Sequence, residues 1–136
     1  MPGEFEGKIV VISGASRGIG RGIALAFARA GAQTVLASSS EQNLTAAAKI
    51  IAAEGPQPFT VAGDLRTLAA CEQLFNRVNE RFRRCDVLVN NAGATRAGAF
   101  LDLPDAVWLE GFALKFFGAV RLTRLFWPLL RPRREA

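Results

Sequence analysis

Four short apolar runs alternate with longer helical patterns along the first 93 residues, and this alternation limits the possible folds more than any other feature. The runs expected to form buried strands are 8–14, 33–38, 59–64 and 86–93. The helical patterns between them cover 18–31, 41–55 and 68–82. This order predicts an α/β fold, a doubly wound parallel sheet with helices on both faces. Right-handed crossovers favour the strand order 3-2-1-4, with the first strand at Lys8–Ser13 parallel to the fourth at Asp86–Asn90.

Apolar residues in the helical segments recur at the spacing of one helix face. The stripe predicted to be buried in the first helix consists of Ile19, Ile23, Ala26, Phe27 and Ala30. In the second helix it consists of Leu44, Ala48 and Ile51. Both helices are followed by a glycine, which is a common stop signal.

The stretch from 105 to 130 is a long C-terminal helix by its pattern, but it is apolar nearly all round. A helix without a polar face needs cover on more than one side, and the sheet covers only one. We therefore expect the other side to be covered by a further helix or by a second subunit, for example in a homo-oligomer formed through this helix. The charged residues that interrupt the helix, and that disfavour a lipid-spanning role, are Glu110, Lys115, Arg121 and Arg124.

A glycine-rich turn, SGASRGIG at 13–20, separates the first strand from the first helix. Gly14 lets the backbone leave the strand sharply, and Gly18 allows a phosphate to approach bare backbone. Gly20 lets the helix pack closely against the sheet. The helix N-terminus then presents free N–H groups and a positive dipole end. Glycines also mark ordinary turns, but between a strand and a helix this turn predicts a Rossmann-like dinucleotide site.

The end of the second strand is expected to meet the adenosine ribose of such a cofactor. An acidic residue there would bind the 2′-hydroxyl and favour NAD(H), but the sequence has Ser38, Ser39 and Ser40. Arg17 lies in the glycine loop, at a position from which it could reach a 2′-phosphate. These residues favour NADP(H), with NAD(H) as the alternative if Arg17 is only a solvated loop charge.

Three motifs in order resemble the short-chain dehydrogenase/reductase family over about residues 5–130: the glycine turn, Asp64 in AGDL, and NNAG at 90–93. The resemblance implies hydride transfer between NADP(H) and an alcohol or carbonyl substrate. It also implies that Asp64 and Leu65 line the adenine pocket, and that Asn90 helps to shape the turn beside the nicotinamide ribose. The predicted cofactor-binding residues are Gly14, Ser16, Arg17, Gly18, Ile19, Gly20, Ser38, Ser39, Asp64, Leu65, Asn91, Ala92 and Gly93.

The catalytic pattern of that family is not found in this sequence. Active members use a Tyr-x-x-x-Lys pair, an upstream Ser and often an Asn on the long helix, but the sequence has no Tyr and no His. Lys115 occupies the Asn position and offers donors without an acceptor, although some branches of the family carry Lys there. No catalytic residue and no metal ligand is therefore predicted.

The residues after Leu130, RPRREA, contain no fifth strand of the kind that carries the catalytic Ser in the family. We therefore interpret 1–130 as an incomplete NAD(P)-binding domain, followed by a basic tail at 131–136. The fourth strand is then expected to be an open sheet edge. We expect the isolated chain to be catalytically inactive and to be marginally stable, dimeric or aggregated.

Charge and composition exclude several other classes of protein. The net charge of +5 invites a nucleic-acid interpretation, but residues 121–136 alone hold five Arg and one Glu, so the excess lies mostly at the C-terminal end. No signal-peptide pattern and no apolar run of about 18 residues is present, which favours a cytoplasmic location without membrane contact. Cys71 and Cys85 match no metal or redox spacing and are expected to be reduced and buried.

Three functions remain to be compared. The first is an NADP(H)-linked oxidoreductase that needs its catalytic half, and with it the alcohol or carbonyl substrate. The second is a cofactor-binding or scaffold remnant that pairs with another chain. The third, a basic-tailed nucleic-acid binder, lacks a recognition motif.

Overall fold

The computed structural model describes residues 3–93 and 97–130. At its centre lies a four-stranded sheet in the order 3-2-1-4, in which every neighbouring pair is parallel. Its strands are β1 (Ile9–Ser13), β2 (Gln33–Ser38), β3 (Phe59–Ala62) and β4 (Val87–Val89). The predicted parallel topology is confirmed, and in the described sheet β4 pairs only with β1 and lies at the edge.

Helices connect the strands and cover both faces of the sheet. They are α1 (Gly18–Arg29), α2 (Glu41–Ala52), α3 (Leu68–Phe82), α4 (Asp105–Phe112) and α5 (Gly118–Leu130). A short 3-10 turn at Phe100–Asp102 precedes α4. The predicted helix 105–130 is therefore present, but a π-helical segment at Ala113–Phe117 divides it into α4 and α5.

Two apolar cores lie on opposite sides of the sheet because successive strand side chains point to opposite faces. On β1, Val10 and Ile12 pack in the core beneath α1 and α2. Val11 packs in the other core, beneath α3 and α5, where Phe126 is completely buried. The ring of Phe126 meets Phe75 edge to face at 5.2 Å, which fixes α5 against α3.

The buried stripe predicted for α1 is confirmed only in part, since Ala30 is buried and Ile23 and Phe27 are half-buried against the core. Gly20, Ala24 and Ala28 face the sheet, whereas Ile19 is 77% exposed. The close approach of α1 to the strands favours residues with little or no side chain along the line of closest contact, while larger residues of α1 pack beside it. The stripe predicted for α2 is confirmed, since Leu44, Ala48 and Ile51 are all buried.

Among the described residues, the helix pair α4–α5 is covered on one side only. Leu122 and Phe126 are buried against the sheet and α3. On the opposite side, Leu109 is 70% exposed and Trp127 is 60% exposed. The predicted need for further cover thus corresponds to an exposed apolar surface, although no helix in the described part of the chain has the length and apolarity required to span a membrane.

Both cysteines are free and buried, as predicted. Burial raises the pKa of the Cys85 thiol to about 12, and the neighbouring Asp86 carboxylate adds to the effect. Burial likewise raises the pKa of Cys71. Both thiols therefore stay protonated at neutral pH and serve as core side chains. The predicted basic tail, 131–136, lies outside the described residues.

Candidate functional site

A cleft of about 640 Å³ opens at the carboxyl ends of the strands. This is the edge at which open parallel α/β sheets bind ligands. The predicted cofactor residues that the structure brings together there are Gly14, Ser16, Arg17, Gly18, Ile19, Ser38, Ser39, Asp64, Leu65, Asn91, Ala92 and Gly93. The remaining one, Gly20, lies behind the cleft wall. Residues that the sequence reasoning missed also line it: Gly63, Arg66, Glu110 and Leu114.

The glycine loop has a backbone that ordinary side chains would disfavour. Gly14 has a φ of +65° and Gly18 a φ of +59°, both in the left-handed region. A Cβ on Gly14 would come within 2.9 Å of Ala92 Cα, so Gly14 also permits close contact with the turn after β4. Apart from the adjacent backbone of Gly18 itself, no described atom lies within 4 Å of the corresponding Cβ position at Gly18, which therefore faces open space in the cleft.

Gly20 has a structural function rather than a place on the cleft surface. A Cβ there would overlap the carbonyl oxygen of Gly14 and the side-chain nitrogen of Asn91. The residue thus lets α1 begin directly against the glycine loop and the turn after β4. The close helix packing predicted for Gly20 is confirmed.

The N-terminus of α1 differs from those of α2 and α3. Ser40 and Thr67 cap α2 and α3, because each hydroxyl accepts a hydrogen bond from a backbone N–H of the first turn. Arg17 precedes α1, and its side chain makes no capping hydrogen bond. The first turn of α1 therefore keeps backbone donors for an anion, and the open space at Gly18 gives a phosphate access to them.

Ser13 connects the end of β1 to the turn after β4, although sequence reasoning did not select it. Its hydroxyl accepts hydrogen bonds from the backbone N–H groups of Asn91 and Ala92, each at 3.0 Å, and donates to Val89 O at 3.3 Å. The Asn91 side chain donates to Gly14 O at 3.1 Å. These bonds hold two walls of the cleft together. The sequence signal that could have identified Ser13 is a polar residue at the end of an otherwise apolar strand.

A second connection joins the glycine loop to the end of β2. The hydroxyls of Ser16 and Ser38 lie 3.0 Å apart and share a hydrogen bond. Ser39 and Arg17 line the same part of the cleft and are exposed. Neutral hydroxyls and a guanidinium surround this end of the cleft. These groups suit a phosphate, whereas a free ribose hydroxyl is usually bound by a carboxylate at this position.

Asp64 is paired with an arginine that the sequence analysis overlooked. Arg66 Nη2 lies 2.9 Å from Asp64 Oδ2, and Arg66 Nε donates to both carboxylate oxygens. These hydrogen bonds hold the pKa of Asp64 below its usual value. Arg66 Nη1 also lies 3.6 Å from Glu110 Oε2, and Arg66 O accepts a hydrogen bond from Arg121. The loop after β3 is thereby joined to both α4 and α5.

Asn90 and Lys115 lie near the other end of the cleft. The Asn90 side chain donates to Thr123 on α5 at 3.0 Å and does not line the cleft, whereas its neighbour Asn91 does. Lys115 stands in the middle of the π-helical segment. Its aliphatic stem passes Gly93, since a Cβ on Gly93 would lie 3.5 Å from Lys115 Cγ.

The fold and the cleft define a nucleotide-binding α/β protein, and comparison with known proteins gives the family. The family model for short chain dehydrogenases matches residues 8–136. The chain therefore belongs to the short-chain dehydrogenase family.

Individual relatives agree with this assignment. An uncharacterized oxidoreductase of Mycobacterium tuberculosis is 37% identical over 126 residues, which are 93% of this chain and 48% of that protein. The crystal structure of L-sorbose reductase from Gluconobacter frateurii, in complex with NADPH and L-sorbose, superposes with a TM-score of 0.87 at 34% identity. That match covers 94% of this chain and 49% of the reductase.

A metagenomic short-chain oxidoreductase in complex with NADP has the same TM-score, 0.87, and is also 34% identical, over 93% of this chain and 57% of its own. The chain thus spans about half the length of the relatives it matches.

Proposed function

We propose that the chain binds NADP(H) as the cofactor-binding portion of a short-chain oxidoreductase that transfers hydride between NADP(H) and an alcohol or carbonyl substrate. The observation that carries this proposal is the start of α1. Of the three helices that follow β1, β2 and β3, only α1 lacks a side-chain cap in the described structure, and its first turn opens into the cleft. The solved relatives with NADPH or NADP bound support the choice of cofactor.

Each part of the cleft has a role in this proposal. The N-terminus of α1 holds the pyrophosphate, with Gly18 giving access to the backbone. Arg17, Ser38 and Ser39 hold the 2′-phosphate, because a guanidinium and hydroxyls are its natural partners. Asp64 and Leu65 border the adenine, and Asn91 to Gly93 border the nicotinamide ribose.

The test is a titration of the 136-residue chain with NADPH and NADH, followed by the fluorescence of the reduced nicotinamide. Arg17→Ala should weaken NADPH binding by about 1–3 kcal/mol and NADH binding much less. Arg21→Ala is the matched control, since Arg21 lies one turn further along α1 and does not line the cleft. Equal losses for both cofactors would remove the preference for NADP(H), and absence of binding would remove the proposed function.

Hydride transfer to a carbonyl compound must be accompanied by delivery of a proton. The bound dinucleotide supplies the hydride, but a carbonyl oxygen must gain a proton, and the chain has neither Tyr nor His to deliver it. We therefore propose that these residues alone bind the cofactor without reducing carbonyl compounds. Turnover of NADPH by the purified chain would contradict this.

A second candidate function is a non-catalytic module that pairs with another chain. The exposed apolar side of α4–α5 favours it, because exposed apolar surfaces of this kind commonly mark protein interfaces. Sedimentation with and without NADPH separates the two functions, since a scaffold would associate without needing the cofactor. A cytoplasmic location stays a prediction.

A further inference from the structure

The edge of the sheet at β3 is open in the described part of the chain, where β3 pairs with β2 alone. Gly63 N–H donates to Ser38 O at 2.9 Å, and the backbone groups of successive strand residues point to opposite sides of the strand. The N–H and C=O groups of Thr60 and Ala62 therefore point away from β2. Each of these two residues offers one donor and one acceptor to a further strand.

Two arginines of α3 lie along this edge, on one face of the sheet. Arg77 Cζ lies 5.2 Å from the centroid of the Phe59 ring, and Arg81 Cζ lies 6.0 Å from the same centroid. Arg81 Cζ also lies 5.8 Å from the centroid of Phe82. Both arginines are exposed. The rings hold the guanidinium groups beside the edge and leave their N–H donors available to carboxylates.

A shallow groove of about 620 Å³ lies on the other face of the edge, between α2 and β3. Thr60 belongs to its strand side and Lys49 to its helix side. Lys49 is exposed and is the charged residue among those that line the groove. Cations therefore flank this edge on both faces of the sheet.

The acidic side chains of α2 and α3 leave these three cations unpaired. Glu54, just after α2, is bound to Arg29 through hydrogen bonds of 2.8 and 3.1 Å. Glu41 and Glu80 form no ion pair with any described residue. The cations beside the edge therefore keep their donors for a ligand.

We propose that this edge binds an extended acidic peptide segment. The segment adds a strand beside β3 and places carboxylates against Arg77 and Arg81 on one face and against Lys49 on the other. One segment can reach both faces because the side chains of a strand alternate between them. Strand addition to an open sheet edge is a recurrent mode of peptide recognition, in which the main chain supplies affinity and the side chains supply specificity.

The cations select among the possible occupants of the edge. Positively charged side chains beside an edge discourage pairing with neutral or basic strands. A second copy that paired through the same edge would set its Arg77 and Arg81 against those of the first. A nucleic acid could contact the cations but has no strand backbone to pair with Thr60 and Ala62. An acidic peptide satisfies both the cations and the backbone groups.

This edge is separate from the cofactor cleft, since neither Thr60 nor the three cations line that cleft. We therefore expect the peptide to bind with the same affinity in the presence and absence of NADPH. The inference thus goes beyond the proposed function and does not depend on it.

The test measures the fluorescence anisotropy of labelled hexapeptides titrated with the 136-residue chain. The peptide EVEEVE places carboxylates on both faces of an added strand, and KVKKVK reverses their charge. Fully N-methylated EVEEVE keeps the charge but cannot donate backbone hydrogen bonds. We expect EVEEVE to bind, the N-methylated form to bind at least about tenfold more weakly, and KVKKVK not to bind.

Arg77→Gln combined with Arg81→Gln should weaken EVEEVE binding by about five- to tenfold. Arg21→Gln combined with Arg124→Gln is the matched control, because it removes the same charge from α1 and α5 and should change little. Arg77→Glu combined with Arg81→Glu should transfer the preference to KVKKVK.

Thr60→Pro tests the backbone contact, because it removes an N–H that points away from β2 and leaves the pairing with β2 intact. EVEEVE binding should weaken by about fivefold, while circular dichroism shows an unchanged fold. If this variant does not fold, the N-methylated peptide decides the same question on the unaltered chain.

Equal binding of EVEEVE and its N-methylated form would overturn the inference, because the cations would then act without strand pairing. Displacement of EVEEVE by a single-stranded oligonucleotide of equal charge, as effective as that by unlabelled peptide, would also overturn it. The same holds for equal losses in the arginine double variant and its matched control. Sedimentation of a dimer that excludes EVEEVE would identify a second copy as the occupant instead.

Discussion

Two loops leave the same edge of the sheet and lead into helices, but they are built in opposite ways. The loop from Asp64 to Thr67, before α3, is closed by its own side chains: Arg66 pairs with Asp64, and Thr67 both caps the helix and donates to Asp64 O at 3.0 Å. The loop from Gly14 to Gly18, before α1, has no such cap. Its donors face the cleft.

This difference in capping indicates that the loop before α3 contributes to stability and the loop before α1 to ligand binding. A helix start that satisfies its own N–H groups gains stability and has little left for a ligand. The start of α1 forgoes that gain, and we expect a bound phosphate to supply it instead. Mutations at the two loops should therefore change different quantities.

The largest expected effect comes from Gly20→Ala. The new Cβ overlaps Gly14 O and Asn91 Nδ2, so α1 must move away from the glycine loop. We expect a loss of about 3 kcal/mol in the free energy of unfolding, measured by urea denaturation, together with loss of NADPH binding. Gly22→Ala, where no atom lies within 4 Å, should instead stabilise the helix by up to about 1 kcal/mol. Similar behaviour of both variants would contradict the packing role of Gly20.

Arg17→Asp tests the comparison most directly. The extended backbone at Arg17, with φ −161° and ψ 172°, is that of a capping residue, so an aspartate there can accept the first-turn N–H groups. Thermal unfolding should show a gain of about 1 kcal/mol, while NADPH affinity should fall by about a hundredfold through charge repulsion and loss of the guanidinium. A loss of both stability and affinity would mean that the first-turn N–H groups of α1 are not available to a ligand.

Thr67→Ala should have the reverse profile. Its hydroxyl accepts from Ala70 N–H at 3.2 Å, and loss of this cap should cost about 1 kcal/mol of unfolding free energy. NADPH affinity should change little. Thr45→Ala serves as the control, because the Thr45 hydroxyl only donates to a carbonyl inside α2 and caps nothing. A large loss of affinity with unchanged stability would show that the α3 loop also belongs to the phosphate site.

The smallest effect is the acid sensitivity of the α3 loop. Hydrogen bonds from Arg66 hold the pKa of Asp64 below its usual value of about 3.9. Because the pKa of Asp64 is lower in the folded than in the unfolded chain, the pair of Asp64 and Arg66 stabilises the fold at pH values above the unfolded pKa. This stabilisation is lost as the pH falls through the folded pKa. Both side chains are 43% exposed, so solvent screening limits the effect to under about 1 kcal/mol.

Urea denaturation from pH 7 to pH 3 measures this contribution as the difference between wild type and Asp64→Asn. The difference should shrink below about pH 4. A difference that stays constant over this range would mean that Arg66 does not act through the charge of Asp64.

The sheet and the cleft were predictable because their signals are local. Short apolar runs indicate the buried strands. Gly14 and Gly18 stand where the backbone has a positive φ, which glycine adopts more easily than other residues. The part of α1 that lies closest to the strands was not predictable from apolar spacing. It depends on how closely the helix approaches the strands, and this distance turned Ile19 outward and Gly20 inward.

The pairing of Arg66 with Glu110 could not be predicted from the sequence either. The two residues are brought together by the position of α4 beside the loop after β3, and no motif encodes that distance. Ser13 is an intermediate case: its place at the end of β1 was visible, but its hydrogen bonds to Asn91 and Ala92 depend on the pairing of β1 with β4.

The π-helical segment at Ala113–Phe117 lets the long helix hold one residue more than a regular α-helix would. Because a π-helical turn contains about one residue more than an α-helical turn, removing one residue from the segment would join α4 and α5 in a regular helix with nearly the same faces. Glu110 would then stay at the cleft rim, and Leu122 would keep its place in the core. A gap of one residue at this point in an alignment of relatives would therefore signify the loss of the π-helical turn rather than a rearranged ligand side.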